Sequence, residues 1–402
     1  MTPRIVPVDP SFLPTGFRCC GIRCGIKISA TARDLALFVS DQNACAAGTF
    51  TTNRVVAAPV VLCRERVPAP DIRAVLVNSG NANACTGPAG LEDAATMAHR
   101  TAVRLGCRPE QVLVCSTGVI GVRLPLDTVL RGIEQATKEL GSTAEHWTNA
   151  AHAILTTDTT TKVAARSLEA GGKSCRILAI AKGAGMIAPR MATMLAFLFT
   201  DAVVDNPVWL AEVLRRTVDR TFNCLSVDGH TSTNDSVLLL ANGASRCRPD
   251  AETLEQKLGE VCEELARAIA ADGEGARHLV VIRVEGAASF EDARAIARAI
   301  ADSPLVKTAV YGADPNWGRI ISAAGYSGAP FDERTTSLWI NDTLVYRNGQ
   351  PAAFDRSELS KQMKAAREVV LRLTVGTGPA GCLFWSCDLT EEYVRFNASY
   401  TT

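Results

Sequence analysis

Residues 182–202, KGAGMIAPRMATMLAFLFTDA, are the stretch that decides the fold. A strand is predicted at Arg176–Ala181. The two glycines and the proline that follow predict a loop, because these residues favour backbone angles typical of turns. The apolar run Met194–Phe199 has the length of a buried strand and is far too short to cross a membrane. Thr193 is therefore expected where a loop meets a buried strand.

Two interpretations of Thr193 follow from this position. Threonine is a common strand residue, and the pattern alone favours the view that it simply begins the strand. Alternatively, its hydroxyl oxygen attacks the carbonyl carbon of Ala192, an N-to-O acyl shift forms an ester, and hydrolysis frees a new amino terminus. That amine has a reference pKa of about 7.7–8.0, so it can act as the base for its own hydroxyl group.

The motif Lys-Gly-x-Gly-Met-Ile-x-Pro-x-Met-Ala-Thr-Met-Leu resembles the self-processing site of the ornithine acetyltransferase (glutamate N-acetyltransferase) family of arginine biosynthesis. The resemblance covers almost the whole chain, from Gly16 to Thr402. It implies an α/β (α+β) fold, a layered sandwich of the self-processing ornithine acetyltransferase/aminopeptidase type. It also implies cleavage between Ala192 and Thr193 into an alpha chain, residues 1–192, and a beta chain, residues 193–402, which assemble as a heterotetramer of two copies of each.

The resemblance also implies the reaction. Thr193 takes an acetyl group from N2-acetylornithine as an ester, ornithine leaves, and glutamate collects the acetyl group. Some members also use acetyl-CoA as the donor, so acetyl-CoA is a candidate co-substrate here, although no stretch resembles a phosphate-binding loop. No cofactor is expected.

The composition argues against several other classes of protein. The 402 residues suffice for a sizeable core, and 42 Lys and Arg residues balance 42 Asp and Glu residues. Neither nucleic acid nor a membrane is therefore an expected partner. The first residues lack an apolar signal segment, which predicts a cytoplasmic protein. The 14 cysteines lack the paired spacing of a zinc site, so we expect buried reduced thiols and no metal.

Apolar periodicity and turn residues predict the main elements. Helices are predicted at Leu91–Leu105, Pro125–Leu140, Pro207–Thr221, Ala251–Ala271 and Phe290–Ile300. Strands are predicted at Arg73–Val77, Val112–Cys115 and Ser236–Ala241, with short strands and turns between residues 14 and 60, among them one at Gly25–Lys27. The alternation in Tyr393–Thr402 predicts a last strand whose tail packs inward.

Thr117 and Gly118 come shortly after the predicted strand that ends at Cys115. Such a pair can be an ordinary turn. Acyl transfer through a tetrahedral intermediate, however, needs hydrogen-bond donors aimed at the developing oxyanion, and a threonine hydroxyl with the next amide supplies two. The family places its oxyanion hole at the matching pair, so the resemblance implies that role for Thr117 and Gly118.

The resemblance also implies the substrate contacts. The matching residues are Thr156, Lys182, Thr193, Glu274, Asn397 and Thr402. Lys182 suits a substrate carboxylate, and Glu274, between two glycines, suits a substrate ammonium group. A solvated lysine and a helix cap are the alternatives that these residues leave open. The loops Asn78–Ala84 and Asp314–Arg319 match further family strings, and both are expected beside the site.

Some positions depart from the family pattern. Arg190 replaces the usual asparagine close to the proposed cleavage bond, which bears on the efficiency of processing. His230 replaces the usual aspartate, and we interpret it as a loop substitution, because a self-cleaved threonine brings its own base.

Two other functions stay open from the sequence. One is a self-processing amidohydrolase or aminopeptidase of the same fold, in which water is the acceptor. The other is a non-enzymatic binding paralogue that is never cleaved.

Overall fold

The computed structural model describes residues 3–188 and 194–399. The strands are β1 (Phe17–Ile22), β2 (Leu35–Phe50), β3 (Ala69–Asn81), β4 (Val112–Val119), β5 (Lys162–Ala170), β6 (Lys173–Lys182), β7 (Leu195–Thr200), β8 (Ser236–Ala241), β9 (Leu279–Ala287), β10 (Ser337–Ile340), β11 (Thr343–Arg347), β12 (Gln350–Pro351), β13 (Glu368–Thr374) and β14 (Ala380–Cys387). The α-helices are α1 (Ala58–Arg66), α2 (Gly87–Leu105), α3 (Leu126–Ala136), α4 (Ala144–Ala153), α5 (Pro207–Arg220), α6 (Ala251–Ala271), α7 (Phe290–Asp302), α8 (Pro304–Tyr311), α9 (Trp317–Gly325), α10 (Arg356–Ala365) and α11 (Glu391–Ser399).

The larger of the two sheets has eight strands. Its order is β4-β3-β2-β8-β7-β6-β5, and β1 pairs with β2 beside this path. β7 is parallel to β8 and antiparallel to β6, with Lys182 opposite Leu195 at the end of the β6–β7 pair. The residues between Lys182 and Leu195 therefore connect two neighbouring strands, neither of which is at an edge of the sheet.

β7 is buried on both faces of this sheet. Successive side chains of a strand point to opposite faces, and here Phe197 and Phe199 pack in one core cluster with residues of α2, α3 and α4. Ala196 and Leu198 pack in a second cluster with residues of α5 and α6. The sheet is thus a layer between two layers of helices, and the apolar run predicted to be a buried strand is one.

The smaller sheet has the order β12-β11-β10-β13-β9-β14. α6 lies between the two sheets, because it contacts β5 and β6 of the larger sheet and β9 and β14 of the smaller one. Residues of the smaller sheet belong to the same core cluster as residues of α5, α6 and α7. The predicted layered α/β sandwich is therefore confirmed.

Most predicted elements lie where the pattern places them. The bounds of β8 and α6 match the prediction, and α2 ends before Gly106, which adopts the left-handed conformation typical of a helix C-terminus. The helix predicted after Pro125 is shorter than expected and ends at Ala136.

The strand predicted at Tyr393–Thr402 is wrong for residues 393–399, the part of this segment that the structure describes. Residues Glu391–Ser399 form α11, whose residues are exposed or half-buried. Two glutamates in its first turn favour a helix N-terminus, because their charge complements the helix dipole. None of these residues is buried, so the alternation of apolar and polar residues that suggested a strand does not reflect packing against a core.

The short strand predicted at Gly25–Lys27 is also wrong. The amides of Gly25, Ile26 and Lys27 all donate to the carboxylate of Asp34, at 2.7 to 3.1 Å. Because these amides bond to a side chain, they are not available to pair with a neighbouring strand, and the segment forms a loop. This loop carries Lys27 to the end of β3, where its side chain contacts the site described below.

The cysteines are free thiols in the described residues, and most of them are buried. Burial raises the pKa of the Cys262 thiol, which keeps it protonated. No helix in the described part of the chain is both long enough and apolar enough to cross a membrane.

A pair of glycine substitutions tests the packing of the larger sheet. A Cβ atom at Gly21 would lie 2.0 Å from the carbonyl oxygen of Asn149, where α4 crosses β1, whereas a Cβ atom at Gly259 of α6 would meet nothing within 4 Å. We expect Gly21→Ala to lower the free energy of unfolding by about 1–3 kcal/mol through overpacking. We expect Gly259→Ala to raise it by about 0.5–1 kcal/mol, because alanine is the better helix former.

Thermal or denaturant unfolding of the two variants measures this difference. Equal effects of the two substitutions would contradict the close contact between α4 and β1.

Candidate active site

Thr117 and Gly118 lie at the end of β4, pressed against the end of β3. The two strands are parallel, and their register places Ser79 opposite Thr117 and Gly80 opposite Gly118. Gly118 has a φ of 134°, and a Cβ atom there would lie 2.3 Å from the carbonyl carbon of Gly80. Only glycine fits this position, so the chain needs glycine at the amide that the sequence predicts as an oxyanion donor.

The ammonium group of Lys182 connects β6 to this pair. Its Nζ atom donates to the hydroxyl oxygen of Thr117 at 3.2 Å, and both side chains are buried. Because the Thr117 hydroxyl accepts from Lys182, its own hydrogen can point elsewhere, towards a substrate oxygen. Burial lowers the pKa of Lys182, and the carboxylate of Asp158 opposes that shift.

Asp158 and Lys162 are buried charged side chains near Lys182, and Lys162 connects them to Asp272. Lys162 Nζ donates to Asp158 Oδ1 at 2.7 Å and to Asp272 Oδ2 at 2.5 Å, and its side chain has no exposed surface. We call Asp158, Lys162, Lys182 and Asp272 the buried charge cluster. Burial alone would raise the pKa of Asp158, but the positive charges of Lys162 and Lys182 outweigh it, so this pKa lies below its usual value.

The buried charge cluster fixes the backbone of the predicted substrate contacts. The amide of Thr156 donates to Asp158 Oδ2 at 3.2 Å, and the amide of Gly183 donates to Asp158 Oδ1 at 2.6 Å. Asp272, which receives the other bond from Lys162, is two residues before Glu274. One lysine thus ties together the chain segments of Thr156, Lys182 and Glu274.

Glu274 packs against the loop of residues 183–188. Its amide donates to the carbonyl of Ala184 at 2.8 Å. A Cβ atom at Gly185 would lie 2.4 Å from the Glu274 carboxyl group, so this carboxylate rests directly on the backbone of Gly185. Asn397 of α11 donates from Nδ2 to Glu274 Oε2 at 3.0 Å. The structure therefore brings Asn397 to Glu274, although it does so from a helix.

The other side of the same loop is held by Asp228. The amides of Met186 and Ile187 donate to its two carboxylate oxygens at 2.7 and 2.9 Å. The hydroxyl group of Tyr393 lies 3.4 Å from Asp228 Oδ2, which ties α11 to the loop. Burial raises the pKa of Asp228. His230 is exposed, and its amide donates to Asp228 Oδ1 at 3.2 Å.

Lys27 is a residue near the site that the sequence analysis missed. Its Nζ atom donates to the carbonyl of Leu155, the residue before Thr156, at 2.7 Å. A Cβ atom at Gly80 would lie 3.0 Å from the Lys27 side chain, so the lysine packs on the strand end that backs Gly118. Burial lowers the pKa of Lys27 to about 8. The sequence signal was weak, because a single lysine in a loop is usually solvated.

The segment Asn78–Ala84, predicted to be a loop, begins as the end of β3, which extends to Asn81, and it supports the strand that carries Thr117. Ser116 donates from its hydroxyl to Asn78 Oδ1 at 2.5 Å. Asn234 Nδ2 donates to the carbonyls of Ala82 and Ser116 at 2.6 and 2.8 Å. Amide side chains from β3 and from the segment before β8 therefore brace the peptide that precedes Thr117.

The loop Asp314–Arg319 packs against other parts of the protein. Asn316 caps α9, Trp317 stacks on Tyr346 of the smaller sheet, and Arg319 donates to the carbonyl of Leu305. These contacts hold the loop to the smaller sheet and to α8. They do not join it to the site, and the expectation that it lies beside the site stays a prediction.

The proposed cleavage bond and part of its surroundings lie outside the described residues. These are Ala192 and Thr193, together with Arg190 and Thr402. The nearest described residues on either side of the bond are Ala188, which is buried, and Met194, whose amide donates to Asp235 Oδ1 at 3.1 Å.

The arrangement offers hydrogen-bond donors and two opposite charges around one loop. Thr117, Gly118 and Lys182 supply the donors, and Glu274 supplies the acidic group. Such a site can bind a zwitterionic small molecule and stabilise an oxyanion near it. Residues 3–188 and 194–399 hold no group of three or more His, Cys, Asp or Glu side chains that could bind a metal ion.

Comparisons with known proteins identify the relatives of this chain. The family model described as the ArgJ family matches residues 18–402. A protein of Rhodopirellula baltica named arginine biosynthesis bifunctional protein ArgJ is 47% identical over 407 residues, which cover 100% of this chain and 99% of the relative. A protein of the same name from Symbiobacterium thermophilum is 49% identical over 97% of this chain and 98% of its own length.

Solved structures with related names also match. The structure of arginine biosynthesis bifunctional protein ArgJ from Bacillus halodurans is 40% identical, covers 51% of this chain and 98% of its own chain, and has a TM-score of 0.49. A structure of ornithine acetyltransferase complexed with ornithine, from Mycobacterium tuberculosis, is 38% identical, covers 44% of this chain and 92% of its own, and has a TM-score of 0.38.

Removing Lys162 tests the buried charge cluster. We expect Lys162→Met to lower the free energy of unfolding by about 3–5 kcal/mol at neutral pH, because Asp158 and Asp272 would then be buried without their counter-charge. The lowered pKa of Asp158 stabilises the protein above its unfolded pKa of about 3.9, and this contribution is lost as the pH falls towards the lowered value. The loss caused by Lys162→Met should therefore shrink in acid, where the Asp158 carboxylate is protonated.

Lys257→Met is the matched control, because Lys257 pairs with Glu260 at the surface of α6. It should cost less than about 1 kcal/mol. Denaturant unfolding over a pH series measures both variants, and a Lys162→Met loss that is equal in acid and at neutral pH would contradict the role of charge.

Proposed function

Because this chain belongs to the ArgJ family, we propose that it is an acetyltransferase of arginine biosynthesis that moves an acetyl group from N2-acetylornithine to glutamate. The observation that carries this proposal is the hydrogen bond from Lys182 to Thr117 together with the placement of the Glu274 carboxyl group against Gly185, on the loop that follows Lys182. Both substrates carry a carboxylate and an amine, which is the side-chain amine in N2-acetylornithine and the α-amine in glutamate. A buried ammonium group and a carboxylate held by the same loop suit such molecules.

The first step of the proposal is self-cleavage between Ala192 and Thr193. The result is an alpha chain of residues 1–192 and a beta chain of residues 193–402, which begins with the nucleophile. The position of the bond supports this step, since it lies in the connection between β6 and β7, whose ends are paired at Lys182 and Leu195. The cut would therefore leave the paired strands intact and free an amine two residues before β7.

The second step is acetyl transfer in two half-reactions. The Thr193 hydroxyl, activated by its own α-amine, attacks the acetyl carbonyl of N2-acetylornithine. The Thr117 hydroxyl and the Gly118 amide stabilise the oxyanion, and ornithine leaves. Glutamate then enters, and its amine attacks the ester to give N-acetylglutamate and regenerate Thr193.

The roles of the remaining residues follow from their charges. Lys182 contacts a substrate carboxylate and Glu274 a substrate ammonium group, with Asn397 orienting Glu274. Thr156 and Thr402 complete the substrate contacts in this proposal. We also propose a heterotetramer of two alpha and two beta chains in the cytoplasm. Because the relatives are named bifunctional, we infer acetyl-CoA as a second acetyl donor.

Denaturing electrophoresis tests the self-cleavage. We expect the 42.7 kDa chain to separate into two fragments of similar size, one of which begins at Thr193 by amino-terminal sequencing. Thr193→Ala should stay intact, because the attacking oxygen is missing. Thr200→Ala, at the other end of β7, is the matched control and should be cleaved.

An intact wild-type chain would favour the uncleaved binding paralogue. Cleavage of Thr193→Ala at the same bond would contradict the choice of nucleophile.

Omitting glutamate tests the identity of the acceptor. With N2-acetylornithine alone, we expect a burst of about one ornithine per site and then little further release, because the acetyl group stays on Thr193. Added glutamate should restore steady release, with N-acetylglutamate as the product. Mass spectrometry of the beta chain should detect the acetyl ester before glutamate is added. Ornithine release that is equally fast without glutamate would instead favour an amidohydrolase.

A further inference from the structure

Self-cleavage poses a chemical problem that the proposed transfer reaction does not. In the transfer reaction, the free α-amine of Thr193 is the base that activates its hydroxyl. Before cleavage this nitrogen is part of a peptide bond and is not a base. A different group must therefore take the hydroxyl proton in the precursor and return a proton to the departing nitrogen.

Asp235 is buried, and its carboxyl group contacts Met194, the residue that follows Thr193. It directly precedes β8, and β7 and β8 are parallel with Leu195 opposite Ser236. Asp235 therefore lies level with Met194, and the Met194 amide donates to its Oδ1 atom at 3.1 Å. The Met194 nitrogen is bonded to the carbonyl carbon of Thr193, so the carboxyl group contacts the residue next to the attacking one.

The second carboxyl oxygen of Asp235 is an unusual feature of the core. Asp235 has no exposed surface, yet its Oδ2 atom finds no hydrogen-bond partner among the described residues. The nearby hydroxyl of Thr51 donates instead to the carbonyl of Ser232 at 2.6 Å. A buried carboxyl oxygen without a partner is costly, and such groups call for a functional explanation.

We propose that Asp235 carries the proton during self-cleavage of the precursor. This inference rests on the proposed function, and it names the residue that makes the first step of that function possible. As the bond between Thr193 Oγ and the Ala192 carbonyl carbon forms, the Asp235 carboxylate takes the Oγ proton. As the bond between that carbon and the Thr193 nitrogen breaks, the same proton passes to the nitrogen. The product is an ester with a free amine, and one water then hydrolyses the ester.

The surroundings of Asp235 set its protonation. Burial raises its pKa well above the usual value, and the Met194 amide and the ammonium group of Lys182 oppose this shift. The carboxylate form therefore becomes more populated as the pH rises through the raised pKa. The rate of self-cleavage should rise with it, because the carboxylate is the proton acceptor.

Cell-free synthesis with a labelled amino acid measures the rate at which the precursor becomes two fragments. We expect Asp235→Asn to slow cleavage by about 100-fold or more, the usual contribution of a positioned acid–base group. Asp201→Asn is the matched control. Asp201 is also a buried aspartate, at the opposite end of β7, but its oxygens accept from the amides of Thr15 and Arg176. The Asp201→Asn chain should be cleaved at the wild-type rate.

The pH dependence of cleavage distinguishes proton transfer from a role in folding alone. The wild-type rate should rise with pH, Asp235→Glu should keep a rise with a shifted midpoint, and Asp235→Asn should lose it. Circular dichroism and melting of the uncut precursor check that each variant is folded. If Asp235→Asn does not fold, the pH profiles of the wild type and of Asp235→Glu still test whether Asp235 transfers the proton.

The outcomes separate this inference from the proposed function. Wild-type cleavage that does not change with pH, or an Asp235→Asn variant that is cleaved at the wild-type rate, would overturn the role of Asp235 and leave self-cleavage by Thr193 standing. A wild-type chain that is never cleaved would instead overturn the first step of the proposed function itself.

Discussion

The bonds of Lys162 to two aspartates are the interaction on which the site depends. An ammonium group with no exposed surface is tolerated in a protein core only if charge and hydrogen bonds compensate for the lost water, and Asp158 and Asp272 do so here. Each aspartate also receives backbone amides, Asp158 from Gly183 and Asp272 from Thr159. Thr156, Lys182 and Glu274, which lie on these segments, are therefore held in place before any substrate binds. Catalysis of acyl transfer depends on such preorganisation.

The loop of residues 183–188 is fixed in a similar way, by its backbone. Asp228 holds the amides of Met186 and Ile187, and the Glu274 carboxyl group lies on Gly185. These contacts involve main-chain atoms, so they constrain the path of the chain whatever the side chains are. Carboxylates on both sides thus direct the loop as it leaves β6, on the way to the segment that contains the proposed nucleophile.

Much of the fold could be predicted from the sequence, because its signals are local. The apolar run of β7 and the long periodic pattern of α6 specify their elements without help from distant residues. Thr117, Gly118 and Lys182 were found through motifs, and the structure brings them together. Lys162 and Asp272 could not be paired in this way, because they are 110 residues apart and nothing in either segment points to the other. The C-terminal helix was missed for the opposite reason, since a short exposed segment lacks the packing that decides between helix and strand.

The order of the strands has a consequence for the two pieces of a cleaved chain. β7 and β8 lie between β2 and β6, so the second piece would be interleaved with the first in one continuous sheet. Neither piece alone could close that sheet, and each would present unpaired strand edges of the kind that promote aggregation. The pieces would be expected to fold only as one chain and to remain interlocked after it is cut, so that covalent continuity is needed to build the enzyme but not to keep it.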